Sequence, residues 1–170
     1  MTNSSSYGSN EWRRLDQKTQ KLIEAYQTEP MVPLGRIANE LGITVLVSTL
    51  PANVSGEIRP AESGSYVIKI NRHEARSRQR FTLAHELSHF LLHKDRIGEG
   101  ISDTVLYRSS LTDSVEAEAN RLAADLIMPV PTLKKIIKGK NIHDESVLAA
   151  LAEQLGVSQI ALKIRLGLGN

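Results

Sequence analysis

Hydrophobic and polar positions alternate along this chain with two different periods, and the changes of period divide it into helical and extended stretches. From about Glu11 to Gln27, Trp12, Leu15, Leu22, Ile23 and Tyr26 recur at helical spacing and predict one helix. A short helix is predicted over Leu34–Leu41, closed by Gly42, because glycine tolerates the left-handed geometry that follows a last helical turn. Three extended segments come next. Ile43–Val47 is rich in β-branched residues, Val54–Arg59 stops at Pro60, and Ser65–Asn71 alternates Tyr66, Ile68 and Ile70 against Val67 and Lys69. The last two lie close enough in sequence to form a hairpin.

After the strands the period returns to that of a helix. Arg76 to His93 contains neither glycine nor proline and predicts one long helix. Residues 94–112 are mixed and contain Gly98 and Gly100, so a loop is expected there, either a substrate-facing lid or a plain connector. Asp113–Met128 predicts a strong helix stopped by Pro129 and Pro131, and further helices are expected over Thr132–Lys138, Asp144–Leu155 and Ser158–Leu166. Helices, a small sheet, then helices is an α+β arrangement. Residues 1–10, rich in Ser, Asn and Gly, read as a flexible tail, and 11–170 as a single domain whose 144–166 segment has a helix-turn-helix outline. Ile37–Gly42 and Leu151–Gly156 resemble each other, but two copies do not make a repeat architecture.

Composition narrows the chemistry. Hydrophobic residues are 41% of the 170 and aromatics only 4%, so aliphatic packing dominates and helices are favoured over an all-β sandwich. A formal charge of +2 does not by itself point to nucleic acid. The chain has no cysteine, which leaves His, Asp and Glu as the ligands of any zinc site. It shows neither a secretory leader nor an apolar run able to span a bilayer, so a cytoplasmic location is expected.

Against that background His85-Glu-Leu-Ser-His89 stands out as an HExxH motif. On a helix His85 and His89 share one face, where two imidazoles can reach one zinc ion, and Glu86 sits beside it as a base for water. A third ligand is needed. His93, a further turn along, is about 12 Å from His85 along the helix axis and is expected to pack near the helix end or cap its carbonyls. In the helix from Asp113, the residues Val115, Ala119, Leu122, Ala123, Leu126 and Ile127 define one apolar arc. Glu116 falls inside that arc and Glu118 at its edge. A buried carboxylate needs a partner, so Glu116 is the favoured ligand, with Glu118 as the alternative and a capping role after Asp113 as the structural reading of Glu116. Asn120, one turn on, suits a hydrogen bond to a ligand histidine or a plain solvent-facing position.

Two segments together carry a resemblance: Arg78-Gln-Arg-Phe-Thr-Leu-Ala-His-Glu-Leu-Ser-His-Phe-Leu-Leu-His93 and Glu116-Ala-Glu-Ala-Asn-Arg-Leu-Ala-Ala-Asp-Leu-Ile-Met-Pro129. The chain resembles the ImmA/IrrE-type metallopeptidases over roughly residues 30–168, departing at Ser88 and Leu122, where glycine and phenylalanine are frequent. The resemblance implies a small zincin-like α+β domain, with a short sheet packed on the HExxH helix and further helices at the C-terminus. It implies His85, His89 and Glu116 as zinc ligands, Glu86 as the catalytic base, and a regulatory protein as substrate, a helix-turn-helix repressor above all. Stress response and toxin–antitoxin regulation are the settings it suggests. Mn²⁺ also suits a His₂Glu set. Tyr107, Arg108 and His143 are candidate oxyanion donors by residue type alone. Two competing readings stand beside this one. A non-catalytic module, such as an antitoxin or repressor partner, keeps the fold and the metal. A DNA-binding regulator would use the helix-turn-helix outline and the lysines Lys134, Lys135, Lys138 and Lys140, whose ordinary role is a solvated surface.

Overall fold

The computed structural model describes residues 7–98, 101–104 and 113–169. Two short helices, α1 (Asn10–Arg14) and α2 (Gln17–Tyr26), open the chain, followed by α3 (Leu34–Glu40) and the strands β1 (Ile43–Ser48), β2 (Val54–Pro60) and β3 (Tyr66–Asn71). The long helix α4 (Arg76–His93) runs into a 3-10 turn (Lys94–Arg96) and the strand β4 (Ile101–Thr104). Four helices finish the fold: α5 (Asp113–Ile127), α6 (Val130–Ile137), α7 (Glu145–Leu155) and α8 (Gln159–Leu166).

The α+β arrangement and nearly every expected element are present, with four differences. The single helix expected over residues 11–27 is two. Asp16 breaks it by turning its carboxylate onto the Thr19 N–H, the N-cap geometry that starts α2. Ser9, expected in the tail, is tied down instead: its side chain caps α1 and its N–H donates to Asp125 at 2.9 Å. Helix α6 begins at Val130 rather than Thr132, because proline fits a first helical turn where its missing N–H is not needed. The fourth difference lies in the stretch expected to be a loop, which contributes the fourth strand.

The sheet order is β1-β3-β2-β4. The predicted hairpin is there, β2 running antiparallel to β3 with Ile58 opposite Ile68. β1 joins the other side of β3 in parallel, Val45 opposite Ile68, and β4 pairs antiparallel with β2. Ile58, Ile68 and Ile70 turn from the sheet into one contiguous apolar cluster that also takes Ala84 and Leu87 of α4 and Leu122, Ala123, Leu126 and Ile127 of α5. All six residues of the arc forecast for α5 are buried. Each fully buried Leu or Ile contributes about 1.5–3 kcal/mol, so this stripe alone holds α5 firmly against α4.

One glycine sets how closely the sheet approaches the active helix. A Cβ added to Gly56 on β2 would lie 2.5 Å from the Thr82 methyl of α4. Thr82 is buried one turn before Glu86, so the absence of a side chain at residue 56 lets the sheet seat directly under the motif. Arg80, on the same helix, donates to the carbonyls of Gly156 and Val32 at 3.2 and 3.0 Å and ties α4 to the turn between α7 and α8. Those two helices meet at an angle of 102°. No helix among the described residues is long and apolar enough to cross a membrane.

Candidate metal centre

Helix α4 brings His85, Glu86 and His89 into the interior, all buried, and α5 faces them as the element α4 packs against most extensively. His85 and His89 are one turn apart, and their Nε2 atoms converge to 3.0 Å. From α5, Glu116 sets one carboxylate oxygen 3.3 Å from His85 Nε2 and the other 3.3 Å from His89 Nε2. These residues form a group of possible metal ligands, with one atom from each lying within 4.8 Å of the others.

The triangle fits a metal ion. Ligand atoms about 2.0–2.1 Å from a tetrahedral zinc are separated from one another by about 3.3 Å, and the three edges here are 3.0, 3.3 and 3.3 Å. The donor set, two imidazole nitrogens and a carboxylate, is that of an open His₂Glu site with a position left for another ligand. The charge states suit it as well. Burial pushes the His89 imidazole below its ordinary pKa of 6.5, which keeps it neutral. Hydrogen bonding to His85 and His89 holds Glu116 far below the usual carboxylate range, against the opposing effect of its own partial burial.

The surroundings of each ligand come from the same two helices. Asn120 is exposed to solvent, yet its Oδ1 lies 2.9 Å from His85 Nδ1, within reach of a hydrogen bond to that ring. Ser88, where glycine is frequent in the resembling family, donates its hydroxyl to the Ala84 carbonyl at 2.7 Å. Glu118 does not reach the triangle: it pairs with His93 at 3.1 Å and Arg14 at 3.0 Å. His93 is packed at the helix end, the first of its two expected placements, and sets its Nδ1 3.0 Å from His89 Nδ1. The spacing favours this contact, because His93 sits one further turn along the same face, four residues after His89. Among the oxyanion candidates, Tyr107 and Arg108 lie outside the described residues. His143 is exposed in the turn before α7, its N–H bonded to Asn141, and does not line the cleft described next.

A cleft of about 1030 Å³ opens over the ligands. Its walls include His85, Glu116 and Asn120, Phe81 of α4, and Ile160 and Ile164 of α8. The two isoleucines are one turn apart and largely exposed, at 69% and 73%.

A sequence model of the IrrE N-terminal-like domain, Peptidase M78, matches residues 38–167. The chain belongs to this family. The match takes in both helices of the His₂Glu triangle and the whole sheet, so the M78 assignment and the geometry concern the same residues. No curated protein matches the chain in sequence. Among solved structures, a Mycobacterium tuberculosis transcriptional regulator superposes with a TM-score of 0.56 at 13% identity, covering 96% of this chain. The alignment spans 51% of that longer protein. At this identity the likeness speaks for the fold alone.

Proposed function

We propose that this M78 chain is a metal-dependent peptidase that cleaves a regulatory protein, with a helix-turn-helix repressor as its substrate. The observation that carries the reading is one of position. Three ligand atoms with the spacing of a tetrahedral zinc site, two from α4 and one from α5, stand beside an acidic residue of α4, Glu86, which is next to the first ligand. Two of the three ligand residues, His85 and Glu116, also line the cleft of about 1030 Å³.

His85, His89 and Glu116 would hold the ion, zinc by preference and Mn²⁺ as the alternative. When bound, such an ion polarises a peptide carbonyl and makes water more acidic. Glu86 would take a proton from the water as its oxygen adds to the scissile carbonyl carbon and return it to the departing nitrogen, so that the C–N bond breaks to give a new C-terminal carboxylate and a new N-terminal amine. Glu86 is wholly buried, which keeps bulk water from competing for its carboxylate. Asn120 orients His85 throughout. The apolar lip of Ile160 and Ile164 suits a substrate that presents aliphatic side chains, as the helices of a small repressor do when they loosen. That a fold neighbour is described as a transcriptional regulator agrees with a regulatory setting.

The DNA-binding reading gains less support. The basic residues of α8 are engaged within the chain: Lys163 with Glu145 at 2.6 Å, Arg165 with Asp125 at 2.6 Å and with the Met128 carbonyl. A recognition helix needs such groups turned outward to phosphates and bases.

The test is Glu86→Gln. Carrying zinc as the wild type does, it should lose cleavage of candidate repressors, beginning with those encoded beside its own gene, by about 10²–10⁴-fold. Undiminished cleavage by the variant would reject the mechanism, and binding without cleavage by the wild type would favour the non-catalytic module.

A further inference from the structure

His93 is a buried histidine that the proposed reaction does not use, and its surroundings give it a defined task. An imidazole nitrogen that ligates must be bare, so the ring proton has to sit on the other nitrogen. For His85 that proton goes to Asn120 Oδ1, 2.9 Å from Nδ1. For His89 the group facing Nδ1 is another imidazole nitrogen, Nδ1 of His93, at 3.0 Å.

Whether His93 can accept is decided one step further out. Its Nε2 lies 3.1 Å from Glu118 Oε2. An ionised carboxylate only accepts, so His93 Nε2 is the donor in that contact. A neutral ring protonated at Nε2 is bare at Nδ1, which is the acceptor His89 needs. Glu118 is fixed in turn by Arg14 of α1, whose guanidinium lies 3.0 Å from the same oxygen.

We propose that Arg14, Glu118 and His93 form a relay that holds His89 as the tautomer and at the angle required of a metal ligand. His93 and Glu118 are then positioning residues of the centre. The relay rests on the metal-binding reading of His85, His89 and Glu116. Its members grow more exposed outward, the side chains of His93, Glu118 and Arg14 being 4%, 26% and 53% accessible, so the effect of removing each should fall in that order. The relay also makes the N-terminal helix part of the support of the site, although α1 contributes no ligand.

The experiment uses the full chain with zinc alone as probe, in competition with a chromophoric chelator. His93→Phe keeps a ring of similar size without an acceptor and should weaken zinc binding about 10–100-fold. His93→Asn restores an oxygen at the δ position and should stay within about threefold of wild type. A second readout is the long-range ¹H–¹⁵N spectrum of the zinc-loaded protein, where His93 should be protonated at Nε2 and bare at Nδ1. If His93→Phe does not fold, Glu118→Ala, at a partly exposed position, carries the test with a smaller loss and the disappearance of that single tautomer. Wild-type affinity in folded His93→Phe, or a proton on His93 Nδ1, overturns the relay while leaving the metal site standing. A wild type that takes up no zinc overturns both.

Discussion

Replacing Gly56 by alanine tests how the sheet and the active helix are fitted together. The new Cβ would stand 2.5 Å from Thr82 Cγ2 and 3.1 Å from the Lys69 carbonyl oxygen. Carbon atoms at their preferred separation are about 3.5–4.0 Å apart, so the first contact overlaps by about 1 Å or more. Thr82 is only 1% exposed and cannot swing into solvent, so the strand or the helix must move. Overpacking of this kind costs about 1–3 kcal/mol. Alanine's lower entropy in the unfolded chain returns about 0.4–1 kcal/mol, leaving a net loss of roughly 0.5–2.5 kcal/mol. At about 2–4 °C per kcal/mol for a chain of this size, the midpoint of thermal unfolding should fall by roughly 1–10 °C. The cause can be isolated with Thr82→Ser, which deletes the opposing methyl at a cost of about 0.5–1.5 kcal/mol of its own. In the double variant the two losses should not add, giving a coupling of about 1 kcal/mol, with the Lys69 contact left as the residue of the strain. Urea unfolding followed by circular dichroism measures all four stabilities. A Gly56→Ala protein as stable as wild type, or a coupling of zero, would refute the close approach of β2 to α4.

Two further outcomes follow from charge. The His89 imidazole is held below 6.5, so the unfolded chain takes up its proton first as pH falls; the stability this group contributes is complete above pH 6.5 and is lost below it. Glu116 acts with the same sign lower down, its contribution complete above pH 4.5 and lost as pH falls further. Urea titrations of metal-free protein should therefore give a lower stability at pH 5 than at pH 7, and a higher one would contradict the assignment. Asp125 is buried, bonded to Arg165 and the Ser9 N–H, and joins α5 to α8 and to the N-terminal segment. Asp125→Ala should cost about 3–5 kcal/mol, as the loss of one partner of a buried ion pair does, and a change under about 1 kcal/mol in the same urea assay would show that the pair is not load-carrying.

Much of the site could be read in advance because it is built on two regular helices. Helical spacing alone brings His85 and His89 together, and the apolar arc of α5 turns Glu116 toward them. What escaped is what depends on contacts between distant segments. The parallel pairing of β1 with β3 leaves no local mark, since the pattern of β1 suits either direction of neighbour. β4 is four residues long and carries Ser102 and Asp103, too short and too polar to show a period of two. The break at Asp16 hid within a stretch whose apolar spacing continues across it. Nothing in the sequence around Gly56 explains it, because the side chain that crowds it is a threonine 26 residues later. His93 was judged by its distance from His85, whereas its partner is His89, and its role depends on Glu118 and Arg14 from two other helices.

The central claim is that His85, His89 and Glu116 hold one divalent ion. It is tested most directly by the metal content of the purified chain after loading with zinc and exhaustive dialysis, measured beside folded His89→Ala. The account predicts one zinc per wild-type chain and far less than one in the variant. A variant that retains a full equivalent, or a wild type that retains none, would contradict it.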